Sequence, residues 1–310
     1  VTSIEDGAEG SVEDEGPSST LPRRQLGRFL RDSRDAVGFT IVQAAKQVDL
    51  SKAVLQRIET GQIQKVNRPV VQALCKLYDV ADEEAAAAVD LATQGRVKSW
   101  HHMYGGMFDS AFNMYVGLES AARRLTTCHD QHIPGLLQSA EYARAIIGAS
   151  PRFTSREDIE RRVELRMKRQ ALVTRRTNPI ELDAVLHISV LYRVIGGSNT
   201  MAVALRQLAE LSKRPNITIR IQPYSAGLTW GIPHGSFIIM DFDGNPKGEP
   251  VEPPVVFIDG GAAPDVYLEK PDEIRRYREL VAAIRDTCLG EVESRNLLRQ
   301  VAKEYERGER

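Results

Sequence analysis

Lys52, Gln56 and Arg57 carry the side chains with the most specific chemistry to offer in this 310-residue chain. Lys52 and Arg57 can donate to guanine O6 and N7, Gln56 can pair with adenine, and Ala53 beside them can touch a thymine methyl. All four lie in the stretch Thr40 to Gly61, TIVQAAKQVDLSKAVLQRIETG. Ala44, Ala45 and Val48 are spaced to bury one face of a first short helix, and Val54, Leu55 and Ile58 do the same for a second. Ser51 stands where it caps the second helix and Gly61 where it ends it. Two short helices joined by a tight turn are the layout of a helix-turn-helix, whose second helix enters the major groove of DNA.

The charge around this stretch fits phosphate binding. Residues 21–80 hold eleven bases against five acids, a net +6, whereas residues 1–20 hold six acids and no base. Each phosphate neutralised by a basic module releases a condensed counterion. The acidic segment has almost no large apolar residues, so residues 1–20 are expected to form a disordered tail. Hydrophobic content of 42% with 27% charged residues is that of an ordinary globular protein long enough for two domains. Cys75, Cys128 and Cys288 are odd in number and far apart, which argues for reduced thiols rather than a disulfide framework. With no apolar run of membrane-spanning length and no signal-like N-terminus, the expectation is a cytoplasmic protein at the nucleoid with no membrane partner.

Five helices are expected between residues 21 and 95. The first, 23–37, puts Leu26, Phe29, Leu30 and Val37 on one face and stops at Gly38. The helix-turn-helix pair follows from the Thr40 cap, then a helix begun by Asn67-Arg68-Pro69, then an alanine-rich helix at 82–93. This predicts an N-terminal all-α domain.

The motifs RDSRDAVGFT and LSKAVLQRIETG resemble the XRE family of helix-turn-helix regulators, related to the phage repressors, with the usual form RxxxGLTQxxLA...S...ISRIExG. The resemblance implies a structural ion pair between Arg34 and Glu59, fixing the first helix against the third. It implies a recognition helix presenting Ser51, Lys52, Ala53, Gln56 and Arg57, with Thr60, Gln62, Gln64 and Lys65 holding phosphate. Ile41 stands where the family has a phosphate-gripping Gln, so that contact is lost. Asp49 replaces the turn glycine and tolerates its left-handed conformation. The implied partner is a double-stranded DNA operator, bound by a homodimer.

The region 96–310 reads as a second domain. A polar joint at 93–99 leads to Trp100-His101-His102-Met103-Tyr104, expected to act as an interdomain latch. Helices are expected at 115–127, 139–148 and 155–175, the last laced by Glu157–Arg161, Asp158–Arg162 and Glu164–Lys168 pairs at i,i+4. Strands are expected from Ile180 to Ile188, at 217–222, 237–242, 255–258 and 266–268, in a largely antiparallel sheet. Helices at 200–213, 271–287 and 291–306 complete it. The fold class is therefore α+β overall, an all-α five-helix domain followed by a mixed helical and antiparallel-sheet domain.

This region, through YVGLESAARRL, HIPGLLQSAEYARAII, RRVELRMKRQALV, NITIRIQPYSAGL and YLEKPDEIRRYRELVAAI, resembles the C-terminal domain of actinobacterial WhiJ-like regulators, sometimes described as antitoxin-like. The match runs from about Trp100 to about Ala302. It implies a domain that binds a small protein encoded by an adjacent gene. The family often has Asp-Glu before its Gly-Gly turn, where this chain has His187-Ile188.

Other constellations carry less. Adjacent helical residues such as His101 and His102 point about 100° apart and rarely share an ion. Cys128-His129-x-x-His132 lacks a second cluster of ligands. Asp241-Phe-Asp243-Gly-Asn245 resembles the start of a calcium loop, but Pro246 occupies the glycine place and a hairpin turn is expected instead. His234, Ser236 and Asp241 supply hydrolase residue types without a nucleophile elbow. Tyr224, Trp230, Phe237 and Tyr267 form a candidate small-molecule pocket, the alternative being core. No metal, cofactor or enzymatic activity is expected. The chain is expected to be a transcriptional regulator whose second domain answers to a protein partner or, alternatively, to a small molecule, a DNA-tethered enzyme being the remaining reading.

Overall fold

The computed structural model describes residues 21–63, 66–93, 110–151, 155–242, 252–261 and 264–308. The acidic tail, the joint and aromatic stretch around Trp100, the phosphate candidates Gln64 and Lys65, and the body of the calcium-like loop lie outside them. The chain divides into two compact units, Val1–Ser110 and Ala111–Arg310. The expected boundary at 95/96 also lies outside the described residues.

The first unit is the expected five-helix domain: α1 (Leu21–Ala36), α2 (Ile41–Gln47), α3 (Lys52–Glu59), α4 (Arg68–Leu77) and α5 (Asp82–Thr93). The ends differ from the expected ones by a residue or two, as helix ends fray. Leu26 and Leu30 of α1, Leu55 and Ile58 of α3, and Val71 and Leu74 of α4 form its core. The apolar stripes spaced at three and four therefore all find a partner.

The second unit opens with α6 (Ser110–Ala121), which runs without a loop into β1 (Ala122–His129). The expected helix at 115–127 is thus half strand. From Leu125 to His129 every residue is buried, because β1 is an inner strand covered on both faces, and such a strand shows no alternation. Then come α7 (Ala140–Gly148), α8 (Arg156–Arg169), α9 (Ala171–Thr174), β2 (Glu181–His187), α10 (Ser189–Tyr192), α11 (Ser198–Leu211) and β3 (Ile217–Gln222). Strands β4 (Phe237–Phe242), β5 (Val255–Ile258) and β6 (Val266–Leu268) precede α12 (Pro271–Asp286) and α13 (Glu291–Glu306).

The six strands lie in the order β3-β2-β1-β4-β5-β6. β1 pairs parallel with β2, Leu125 opposite Leu182, and β2 parallel with β3, Ala184 opposite Ile219. The other pairings are antiparallel, Thr126 standing opposite Ile239. The sheet is therefore mixed, three of its five pairings antiparallel as expected and two parallel. Helical segments connect β1 to β2 and β2 to β3, and crossovers of that length return a strand in the same direction.

One face of the sheet packs on α12. Cys128, Val185, Phe237, Ile239 and Val256 share a buried cluster with Ile274, Leu280, Val281 and Ile284. Arg285 of α12 reaches down to Asp183. Between α6 and α8 a bidentate pair is buried, Arg169 Nε and Nη2 each donating to Glu119 at 2.7 Å. The Tyr115 hydroxyl donates to the same carboxylate at 2.7 Å, and the Arg169 guanidinium lies 5.4 Å from the Tyr115 ring centroid. At the other edge α13 packs on α11, and its Ser294 hydroxyl accepts from the Ile221 backbone N–H at 2.9 Å. Among the described residues no helix is long and apolar enough to cross a membrane.

Candidate nucleic-acid interface

Both helices of the central motif begin at a satisfied cap. The Thr40 hydroxyl accepts from the Gln43 backbone N–H, and the Gln43 side chain returns a bond to the Thr40 N–H at 2.9 Å, a reciprocal capping box. Ser51 accepts from Val54 N–H at 3.2 Å and starts α3. Between them Asp49 sits at φ 53°, the left-handed conformation expected of the residue replacing the turn glycine.

A buried ion pair anchors α3 to α1. Arg34 Nε lies 2.7 Å from Glu59 Oε1 and Nη2 lies 3.0 Å from Oε2, a buried bidentate pair. Arg34 Nη1 also donates to the Phe39 carbonyl at 2.8 Å and to Asp35 at 2.5 Å. The hydrogen bond to Glu59 outweighs burial and raises the Arg34 pKa, so the guanidinium stays charged. Gly27 makes this approach possible. A Cβ there would lie 2.6 Å from the carbonyl oxygens of Ile58 and Glu59, so α1 and α3 meet backbone to backbone. Gly61, at φ 70°, ends α3 where a Cβ would meet the Arg24 backbone at 2.7 Å.

With Leu55, Ile58 and Glu59 buried, the opposite face of α3 presents Lys52, Ala53, Gln56 and Arg57 to solvent, and Ser51 is exposed at its start. The expected base-reading set is thus gathered on one exposed surface. A shallow groove beside it is lined by Arg31, Ile41, Lys52, Gln56 and Thr60. Arg31 is a cation that the sequence reading did not place at the site, although its position one turn before Arg34 on α1 was a signal for it. Ile41, at the first position of α2, packs partly against the domain core, consistent with a lost phosphate contact.

Gln62 is exposed beyond α3. The Thr60 hydroxyl donates back to the Gln56 carbonyl at 2.9 Å, at the end of α3.

The family comparisons divide the chain at the same place. Residues 25–88 match the family described as a helix-turn-helix domain, covering α1 to α5 apart from their extreme ends. Residues 112–300 match the family described as a domain of unknown function, DUF5753. The chain belongs to the DUF5753 family. No curated protein and no solved structure matches it. It is an α+β protein that joins a helix-turn-helix domain, the mark of a DNA-binding regulator, to a DUF5753 domain.

In the DUF5753 domain the candidates read from sequence are scattered. Phe237 is buried under α12, Tyr267 packs on Phe257 at 5.1 Å near the sheet edge, and Tyr224 and Trp230 are exposed, so the four do not line one pocket. Ser236 donates to Asp130 at 2.7 Å, His234 Nδ1 faces the Gly235 carbonyl at 2.8 Å, and Asp241 pairs with Arg278, so no triad assembles. Cys128 faces the α12 core, while the His129 and His132 rings meet edge-on at 5.3 Å. Among the described residues no group of three metal-ligating side chains forms. Of the pairs expected along α8, Glu157–Arg161 and Glu164–Lys168 are made, the latter at 2.8 Å. Burial, with His132 adjacent, lowers the pKa of His129 to about 3, and both its ring nitrogens are buried without a partner.

Proposed function

We propose that this chain is a WhiJ-like, antitoxin-like transcriptional regulator of the actinobacterial type, binding a double-stranded operator as a homodimer. Two copies of α3 would read half-sites about one helical turn apart. The observation that carries this is the exposed face of α3, with Lys52, Gln56 and Arg57 aligned on a helix that is capped by Ser51 and anchored by the Arg34–Glu59 pair. In this reading the DUF5753 domain receives a small protein encoded by an adjacent gene and binds it without turnover. The small-molecule alternative has lost its main support, since its four aromatic residues lie apart.

Gel shift at moderate salt tests the DNA arm. The region upstream of the gene should be preferred over random DNA, and equal retention of both would sink the reading. Arg57→Ala should cost about 1–3 kcal/mol at one base position, relaxing specificity there alone. Co-purification with the adjacent gene's product tests the partner arm.

A further inference from the structure

We propose that the loop from Pro223 to Ser236, together with the carboxyl ends of β1 and β2, is the docking site for an arginine side chain of a protein partner, flanked on that partner by apolar residues. The proposal rests on the partner reading above and adds the chemistry by which the partner is recognised.

The first observation is a surface without charge. Residues 221–240 contain no Asp, Glu, Lys or Arg. Within them Tyr224, Leu228, Trp230 and Ile232 are 64%, 66%, 48% and 52% exposed, a concentration of large apolar side chains in nine residues. The loop is nonetheless built. Thr229 is buried, and Gln222 Nε2 donates to Thr229 Oγ1 at 3.2 Å and to Thr287 Oγ1 at 3.1 Å. Gly231 N–H donates to the Leu228 carbonyl at 2.9 Å. Trp230 is held at φ 57°, a conformation that side chains resist and that tends to persist where function requires it. Preorganised Tyr and Trp side chains of this kind are the commonest binding hot spots.

The second observation is a polar cluster built around a carboxylate beside that loop. The Ser189 hydroxyl has one proton and gives it to the Asp130 carbonyl at 2.7 Å. His187 Nδ1 lies 2.7 Å from the Ser189 Oγ, and the Ser189 backbone N–H points at the same Nδ1 at 3.3 Å. His234 Nδ1 faces the Gly235 carbonyl at 2.8 Å. The Asp130 carboxylate takes the Ser236 hydroxyl at 2.7 Å and has lone pairs to spare. Burial acts to raise the Asp130 pKa, but the bonds from Ser236 and Gln131 hold it below the usual range, while burial lowers that of His187. Asp130, His187 and His234 lie within electrostatic reach of one another.

One carboxylate and two imidazoles thus sit beside aromatic rings, with the His187 and Tyr224 centroids 5.0 Å apart. A guanidinium matches each part. It carries five donors and no acceptor, it pairs with carboxylates, and it stacks on aromatic faces. Leu228 and Ile232 supply contact for apolar neighbours of that arginine.

The test uses the full chain in calorimetric titration with a peptide containing Leu-Arg-Leu and with its counterpart carrying citrulline in place of arginine. The arginine peptide should bind about tenfold or more tightly than the citrulline peptide, the loss expected for one charge-assisted hydrogen bond. Asp130→Asn should erase that difference, and Leu228→Ser, at an exposed position, should weaken both peptides. Equal binding of the two peptides by the wild type, or binding of neither, overturns the proposal. The adjacent gene's product gives the second arm. Its capture should be lost in both variants while operator binding and circular dichroism stay unchanged. Capture equal to wild type would leave the partner reading standing and remove this docking site. Failure of the wild type to capture it would remove the partner reading, with the peptides still deciding the site.

Discussion

Each unit of this protein is fastened by a buried bidentate arginine–glutamate pair, Arg34–Glu59 in the first and Arg169–Glu119 in the second. The two look alike and differ in what surrounds them. Arg34 spends its remaining donor on the Phe39 carbonyl and Asp35, so the pair also fixes the entry to α2. Glu119 takes a Tyr115 hydroxyl as well, and its arginine lies over that ring, so the second pair is the centre of a polar and aromatic cluster between α6 and α8. The first pair orients a surface helix, whereas the second ties helices over an inner sheet. Buried pairs of this kind are weak evidence for net stability and strong evidence that losing one partner is costly.

The comparison can be broken at each pair. Glu119→Gln should destabilise the second unit by about 3–5 kcal/mol, and Glu59→Gln the first by a similar amount, each moving its own transition in calorimetry of the full chain. Only Glu59→Gln should weaken operator binding as well. Gly27→Ala should cost the first unit about 1–3 kcal/mol, because α1 and α3 have no room for a methyl group. A cost below a few tenths would show that the two helices can part.

The second unit should also be the acid-sensitive one. The folded pKa of His129 is depressed, so as pH falls the unfolded chain takes the proton first. Stability is full above about pH 6.5 and is lost toward pH 3 at about 1.4 kcal/mol per pH unit. His129→Leu should flatten that slope, measured as urea midpoints between pH 7 and 5. At the DNA-binding face, Arg31→Ala should lower the salt dependence of operator binding by about one unit of slope. Thr60→Ala should change operator affinity by less than about 0.5 kcal/mol, the usual limit for a surface change, since its hydroxyl serves its own helix.

The first unit was almost wholly legible in the sequence. Caps at Thr40 and Ser51, a left-handed Asp49 and stripes such as Leu55 and Ile58 are local signals, set by neighbours within four residues. Gly27 was not, because its reason lies in carbonyls more than thirty residues away in sequence. In the second unit Ile217, Ile219 and Ile221 announced a strand by alternation, but β1 did not, because burial on both faces removes the period. The two parallel pairings had no mark in any one strand, since they follow from the crossovers. The Glu119–Arg169 pair, fifty residues apart, had no local mark either. The exposed polar face of α3 was readable because one helix carries it. The cluster of Asp130, His187 and His234 was not, because three strand ends must first be brought side by side.

The junction of α6 with β1 has a mechanical corollary. Helix gives way to strand between Ala121 and Ala122 with no residue of loop, so there is no slack at that point. Loops absorb displacement; a continuous segment hands it on. A load applied at the Asp130 end of β1 is therefore handed along the strand to α6 without an intervening loop.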